Sequence, residues 1–211
     1  MLKAQILEIM QNAWPMLLIF TVVMSSIRIA YLKANREKII FYKEFFGLLF
    51  MLYILTLFYI VTYQDPVSNS ISSYNLMPFK ELFRYDFGTT LFYKNIVGNL
   101  VLFVPFGLFV SYYLKTKHIG LIFLLSLISS VTIEFAQRLI VGRVFDVDDI
   151  ILNVAGGIVG YFIYVIIEAV RDHLPKIFKK DWFINLFIII ILLLLFLYFC
   201  SFNIGMIKVL S

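Results

Sequence analysis

The sequence predicts an all-α, polytopic integral membrane protein with about six transmembrane helices (five to six). Of its 211 residues, 62% are apolar and only 15% are charged, whereas soluble domains are about 45–50% apolar and about 25% charged. The mean hydropathy is +0.95. Its apolar runs approach the roughly 20 residues of a spanning helix and lack the alternation of barrel strands. This excludes a soluble domain, a disordered chain and a collagen-like fibre.

The predicted spans divide the chain into three parts. In chain order the spans are 14–31, 45–63, 95–114, 119–141, 149–168 and 183–200. Residues 1–74 hold two helices and the start of an outer loop, residues 75–168 hold a core of loop motif and three helices, and residues 169–211 hold a cytoplasmic loop and the last helix. That last helix is nearly unbroken Ile, Leu and Phe, so we expect it to face lipid.

Loop charges orient these helices. Eleven of the 18 Lys and Arg residues lie near one side, mostly in the loops 32–44, 115–118 and 169–182. The positive-inside rule places that side in the cytoplasm and both termini outside. No basic face or stripe typical of a nucleic-acid binder is found. One cysteine and two histidines in short basic loops predict no structural zinc site, and we expect no metal or cofactor.

The long loop before the third span contains an amphipathic segment. Between residues 78 and 92, Phe79, Leu82, Phe83 and Phe87 recur at helical spacing with charged residues between them. This pattern predicts an interfacial helix lying on the bilayer. The alternative is a lid over a polar site.

Polar residues inside the third and fourth spans are the exceptions to the apolar pattern. Asn95 and Asn99 are four apart and share a helix face, while Pro105 should kink the same helix. Glu134 and Gln137 interrupt the fourth span. For Glu134 the structural alternative is an ion pair with Arg138, four residues on.

The loop after the fourth span is acidic and leads into the fifth. We expect Asp148 or Asp149 to cap this helix, and the EF-hand pattern for calcium is absent. Further along, the small residues Gly156 and Gly160 predict close helix packing. Because these spans enter and leave at the same side, their polar groups lie at matching depth, and we predict a polar pocket open to the outer leaflet.

Three ordered motifs resemble one family. The first is Asn75 with Met77, Pro78 and Phe79, and the second is N-x-x-x-N-x-x-x-F-x-P-x-G over residues 95–107. The third is Glu134-x-x-Gln137 followed by Arg143, Asp146, Asp149, Asn153, Gly156 and Gly160. Together they resemble the VanZ-like family, over about residues 75–162. The site residues that we assign to the pocket are Asn75, Asn95, Asn99, Glu134, Gln137, Arg143, Asp146, Asp148, Asp149 and Asn153; those assigned to helix packing are Pro105, Gly107, Gly156 and Gly160.

The resemblance implies a multi-pass protein of the plasma membrane of a Gram-positive bacterium. It implies that the protein lowers susceptibility to lipoglycopeptide antibiotics such as teicoplanin, or serves cell-envelope homeostasis. The implied partners are membrane lipids and a cell-envelope component or a lipoglycopeptide; nucleic acid is not among them. Three alternatives stay open: an intramembrane enzyme with Glu134 and Asp146 or Asp149 as acid and base, a lipid or solute transporter, and a scaffold. No catalytic residue is assigned, and the oligomeric state is left open.

Overall fold

The computed structural model describes residues 2–62, 75–80, 82–141 and 145–210. Six long helices make up most of this part of the chain. They are α1 (Leu2–Ala34), α2 (Phe41–Thr62), α3 (Thr90–Leu114), α4 (Ile119–Val141), α5 (Val147–His173) and α6 (Asp181–Leu210). All six contain a stretch long and apolar enough to cross a membrane. No strand forms among the described residues, so the prediction of an all-α polytopic protein with about six spans is confirmed.

Several helices extend beyond the apolar runs that predict them. Helix α3 begins at Thr90, where Thr89 accepts a hydrogen bond from the Phe92 amide. Its first turns include a π-helical stretch, Tyr93–Val97, before regular α-helix resumes at Gly98. Hydropathy marks only the apolar part of a helix, whereas the helix itself continues through polar flanks until its backbone groups find a cap.

The centre of the molecule is the packing of α3, α4 and α5. Helices α3 and α5 approach so closely that a Cβ atom added at Gly156 would lie 2.1 Å from the Leu100 carbonyl oxygen. At Gly160 it would lie 2.0 Å from the Val104 carbonyl oxygen. Gly107 on α3 lies against the backbone of Gly157 in the same way. Small residues at such a crossing let two helix backbones touch, which gives the van der Waals packing that joins helices in lipid.

Helix α2 packs on this core, and α1 and α6 pack on α2. Arg28 of α1 pairs with Glu44 of α2 at 2.8 Å, and the Tyr42 amide of α2 donates to Asn185 of α6 at 2.9 Å. The Tyr53 hydroxyl of α2 donates to the Leu102 carbonyl of α3 at 2.8 Å. The side chains of α6 from 193 to 198 are all more than half exposed, as expected for a helix that faces lipid.

The two ends of the bundle differ in charge. The connections 35–40, 115–118 and 174–180 meet at one end, which we call the basic end. The long connection that leads into α3 and the short one between α4 and α5 lie at the opposite end. There the acidic residues before α5 come together with polar groups of α3 and α4.

Candidate functional site

The candidate site is built around the first turn of α5. Asp146 is the N-cap of this helix: its backbone is extended and its side chain accepts from the Asp148 amide at 2.9 Å. The expectation that Asp148 or Asp149 would cap the helix is therefore wrong. Both of those residues already lie in the helical first turn, where their side chains are directed to other partners.

Asn75 ties the long connection to the residues that precede α5. Its amide donates to the Phe145 carbonyl at 3.0 Å, and its carbonyl accepts from the Val147 amide at 3.1 Å. Its side-chain Nδ2 also donates to Asp146 Oδ1 at 3.0 Å. The two backbone bonds form an isolated parallel bridge between Asn75 and Asp146. Residues 71 positions apart in the chain are thus held side by side.

Asp148 anchors a later part of the same connection. Its side chain is fully buried, with 1% of the residue exposed, and it accepts from the amides of Phe79 (2.5 Å) and Leu82 (3.3 Å). Phe79 adopts the left-handed backbone conformation, with φ of 67°, which is uncommon for a residue with a side chain. A carboxylate that accepts two backbone N–H groups forms charge-assisted hydrogen bonds, about twice as strong as neutral ones.

This anchoring changes the expected shape of the segment 78–92. The described residues up to Thr89 form successive turns instead of the continuous amphipathic helix that their spacing indicates. Helical geometry would direct the amides of Phe79 and Leu82 along the helix axis, whereas here both converge on one carboxylate. Phe83 and Phe87 remain 85% and 86% exposed, so the tip of this connection presents aromatic rings outward.

Helix α3 contributes a hydrogen-bond donor, and helix α4 an acceptor, to the start of α5. On α3, Asn99 Nδ2 donates to Asp149 Oδ1 at 2.5 Å. On α4, Glu134 is 3% exposed and its Oε2 accepts from the Asp146 amide at 3.1 Å. Glu134 therefore takes a partner from the next helix start, 12 residues on. The neighbouring Gln137 is also buried, at 7% exposure.

One turn deeper, Asn153 connects α5 to α4. Its Nδ2 donates to the Ser130 hydroxyl at 2.9 Å, and both residues are buried. Among the described residues, no donor reaches the Asn153 Oδ1 atom. Sequence reasoning missed Ser130 and its neighbour Ser126, although Ser126, Ser130 and Glu134 follow at intervals of four along one face of α4. That spacing was the available signal for a buried polar stripe.

One predicted site residue, Asn95, stands apart from this cluster. Asn95 lies in the π-helical turn of α3 and is half-buried, and no described residue hydrogen-bonds its side chain. Arg143 lies outside the described residues. We call the following cluster the polar site: Asn75, Asn99, Glu134, Asp146, Asp148, Asp149 and Asn153.

The chemistry of the polar site is that of a hydrogen-bond acceptor cluster. Four carboxylates from α4 and the start of α5 share a small volume, and each of them accepts at least one N–H donor. Among the described residues, no group of three His, Cys, Asp or Glu side chains is placed to hold a metal ion. The arrangement holds Asn75, Phe79 and Leu82 of the long connection against the start of α5 and brings four carboxylates together there.

Comparison with known proteins locates this core in a family. A family model described as VanZ/LLP1 matches residues 45–168, which is more than half of the chain and covers α3, α4 and the polar site. Protein VanZ of Enterococcus faecium is 29% identical over 147 residues, or 69% of this chain and 88% of that protein. No solved structure matches the chain. The chain belongs to the VanZ/LLP1 family.

Proposed function

We propose that the chain is a multi-pass protein of the bacterial plasma membrane that lowers susceptibility to lipoglycopeptide antibiotics such as teicoplanin. In this proposal both termini lie outside and the polar site is a pocket open to the outer leaflet. The same pocket would serve envelope homeostasis where no antibiotic is present. The similarity to Protein VanZ of Enterococcus faecium supports this choice.

The observation that carries the proposal is the convergence of distant segments on the first turn of α5. The long connection is bound through Asn75 and Asp148, α3 through Asn99, and α4 through Glu134. Buried carboxylates are costly within a membrane and commonly mark functional sites. Helices that only faced lipid would not need them at a common depth.

The proposed orientation of the protein in the membrane follows from the positive charge of its connections. The polar site lies at the end opposite the basic connections, and the positive-inside rule assigns those connections to the cytoplasm. The polar site then faces the outer leaflet, where cell-wall precursors and lipoglycopeptides meet the membrane. Carboxylates and amides favour a ligand rich in hydrogen-bond donors, such as a glycosylated headgroup, a peptide stem or the lipid-proximal part of the antibiotic. A bare phosphate would need more Arg and Lys.

Teicoplanin susceptibility of near-isosteric variants tests the proposal. Glu134→Gln and Asp149→Asn keep the side-chain shape and remove the charge, and each should return the minimum inhibitory concentration toward that of a host without the protein. Thr132→Val is the matched control, because Thr132 is exposed on the same helix and, among the described residues, its hydroxyl bonds only the Ile128 carbonyl. All variants are compared at equal membrane abundance.

Two results would reject the proposal. If Glu134→Gln and Asp149→Asn protect as well as the parent while their abundance is unchanged, the polar site does not carry the function. If Thr132→Val loses protection to the same extent, the effect belongs to helix α4 in general and the polar site is equally rejected.

A further inference from the structure

The segment 169–182, which joins the end of α5 to the start of α6, carries basic and apolar side chains that are all exposed. Every residue from 169 to 182 is exposed. Its centre is a short 3-10 helix, Lys176–Lys179, in which Ile177 and Phe178 are 49% and 39% exposed. Trp182, at the start of α6, is 54% exposed. Lysines interleaved with aromatic and aliphatic side chains are typical of the membrane–water interface.

Two lysines of this segment have no side-chain partner among the described residues. Arg171 pairs with Glu168 at 2.8 Å, and Lys179 Nζ donates to the Asp172 carbonyl at 2.9 Å. No ion pair or hydrogen bond joins the side chains of Lys176 and Lys180 to any described residue. Their ammonium groups are therefore available to an anion at the surface.

A shallow, open groove lies on the residues that precede these lysines in the chain. It has a volume of about 360 Å³, and Ala169, Val170, His173 and Leu174 line it. The wall is mostly apolar, and the His173 ring is fixed by a 2.7 Å hydrogen bond between Nδ1 and the Ala169 carbonyl. Lys176 is two residues beyond Leu174, so its backbone lies within about 7 Å of the groove wall.

We propose that this groove and its two lysines form a binding site for an anionic phospholipid. An acyl chain occupies the apolar groove, and the headgroup phosphate lies against Lys176 and Lys180. The apolar lining favours a lipid over free phosphate, because free phosphate has nothing to place in the groove. The segment lies beyond the family match, which ends at residue 168, so the site is a property of the part of the chain that follows the matched core.

Quenching of Trp182 fluorescence by brominated lipid tests this site in the full-length chain. The sequence has two tryptophans, and Trp14→Phe leaves Trp182 as the reporter. The protein is placed in phosphatidylcholine nanodiscs containing an equal small fraction of brominated phosphatidylglycerol or brominated phosphatidylcholine. We expect the brominated phosphatidylglycerol to quench Trp182 more strongly. Each lysine near an anionic surface contributes about fivefold to binding, so Lys176→Gln with Lys180→Gln should remove most of the preference.

A second pair of lysines at the same end of the bundle is the matched control. Lys115→Gln with Lys117→Gln removes the same charge from two exposed positions in the connection between α3 and α4 and should leave the preference intact. The proposal is overturned if the parent shows no preference, or if the two double variants lose it equally. It is also overturned if inorganic phosphate at about tenfold excess over the anionic lipid abolishes the preference, since the site would then bind phosphate alone.

Discussion

Replacing Gly160 by Ala should weaken the core, because it places a methyl group at the close crossing of α3 and α5. The added Cβ would lie 2.0 Å from the Val104 carbonyl oxygen and 2.7 Å from the Leu108 amide nitrogen, whereas ordinary contacts begin at 3.4 Å. Both neighbouring atoms are backbone, so neither can rotate away as a side chain would. The two helices must therefore move apart.

The size of the effect follows from that displacement. Ordinary contact requires the Cβ and the Val104 carbonyl oxygen to move from 2.0 Å to 3.4 Å apart, and a gap of about 0.5–1 Å between facing atoms already removes about a quarter to a half of their dispersion energy. Overpacking of this kind costs about 1–3 kcal/mol, occasionally more. Because the obstacle is backbone, we expect about 3 kcal/mol, which corresponds to a fall of about 6–12 °C in Tm for a chain of this size.

Thermal unfolding in detergent, followed by circular dichroism, measures this change. The control is Gly120→Ala, because a Cβ at Gly120, near the start of α4, meets nothing within 4 Å. Its Tm should stay level or rise, since Ala favours helix over Gly by about 1 kcal/mol. If Gly160→Ala unfolds within about 2 °C of Gly120→Ala, the close crossing of α3 and α5 is not what stabilises the core.

Three other predictions follow from the polar groups and the topology. Asp148→Asn should loosen the long connection, because hydrogen bonds to a charged group contribute about 1.5–3 kcal/mol. Hydrogen–deuterium exchange at the amides of Phe79 and Leu82 should rise at least about tenfold. Unchanged exchange would contradict the anchoring role of Asp148. Ser130→Ala strands the buried amide of Asn153 and should cost about 1–3 kcal/mol of unfolding free energy, measured by thermal unfolding; an unchanged Tm would show that this hydrogen bond contributes nothing. In a background lacking the native cysteine, a membrane-impermeant maleimide should label Phe83→Cys but not Lys38→Cys in intact cells. The reverse labelling pattern would show that the protein has the opposite orientation in the membrane.

The helices themselves were predictable because each is encoded locally. An apolar run of about 20 residues has one low-energy state in lipid, in which its backbone groups pair within the helix. Runs such as 119–141 therefore match their helix closely. The ends of other helices were harder to place, because α1 and α6 continue beyond the apolar runs that hydropathy marks.

The contacts of the polar site could be anticipated only as a group. That Asn99, Glu134 and Asp149 lie at one depth follows from helix order and length. That the Glu134 carboxylate accepts from the Asp146 amide does not follow, because it depends on the path of the intervening loop. For the same reason the helical spacing of Phe79 and Phe83 gave the wrong local structure: a distant carboxylate, Asp148, overrides it.

The central claim is that the polar site acts as one unit in protection against lipoglycopeptides. The most direct test is a double-mutant cycle on Asn99 and Asp149, which share a hydrogen bond, with teicoplanin susceptibility measured at equal membrane abundance. Contacting residues are expected to be non-additive. We predict that Asn99→Ala and Asp149→Ala each lower the inhibitory concentration and that the double variant is no more susceptible than the worse single one. A double variant more susceptible than either single one, or full protection in both single variants with Thr132→Val also at the parent level, would contradict the claim.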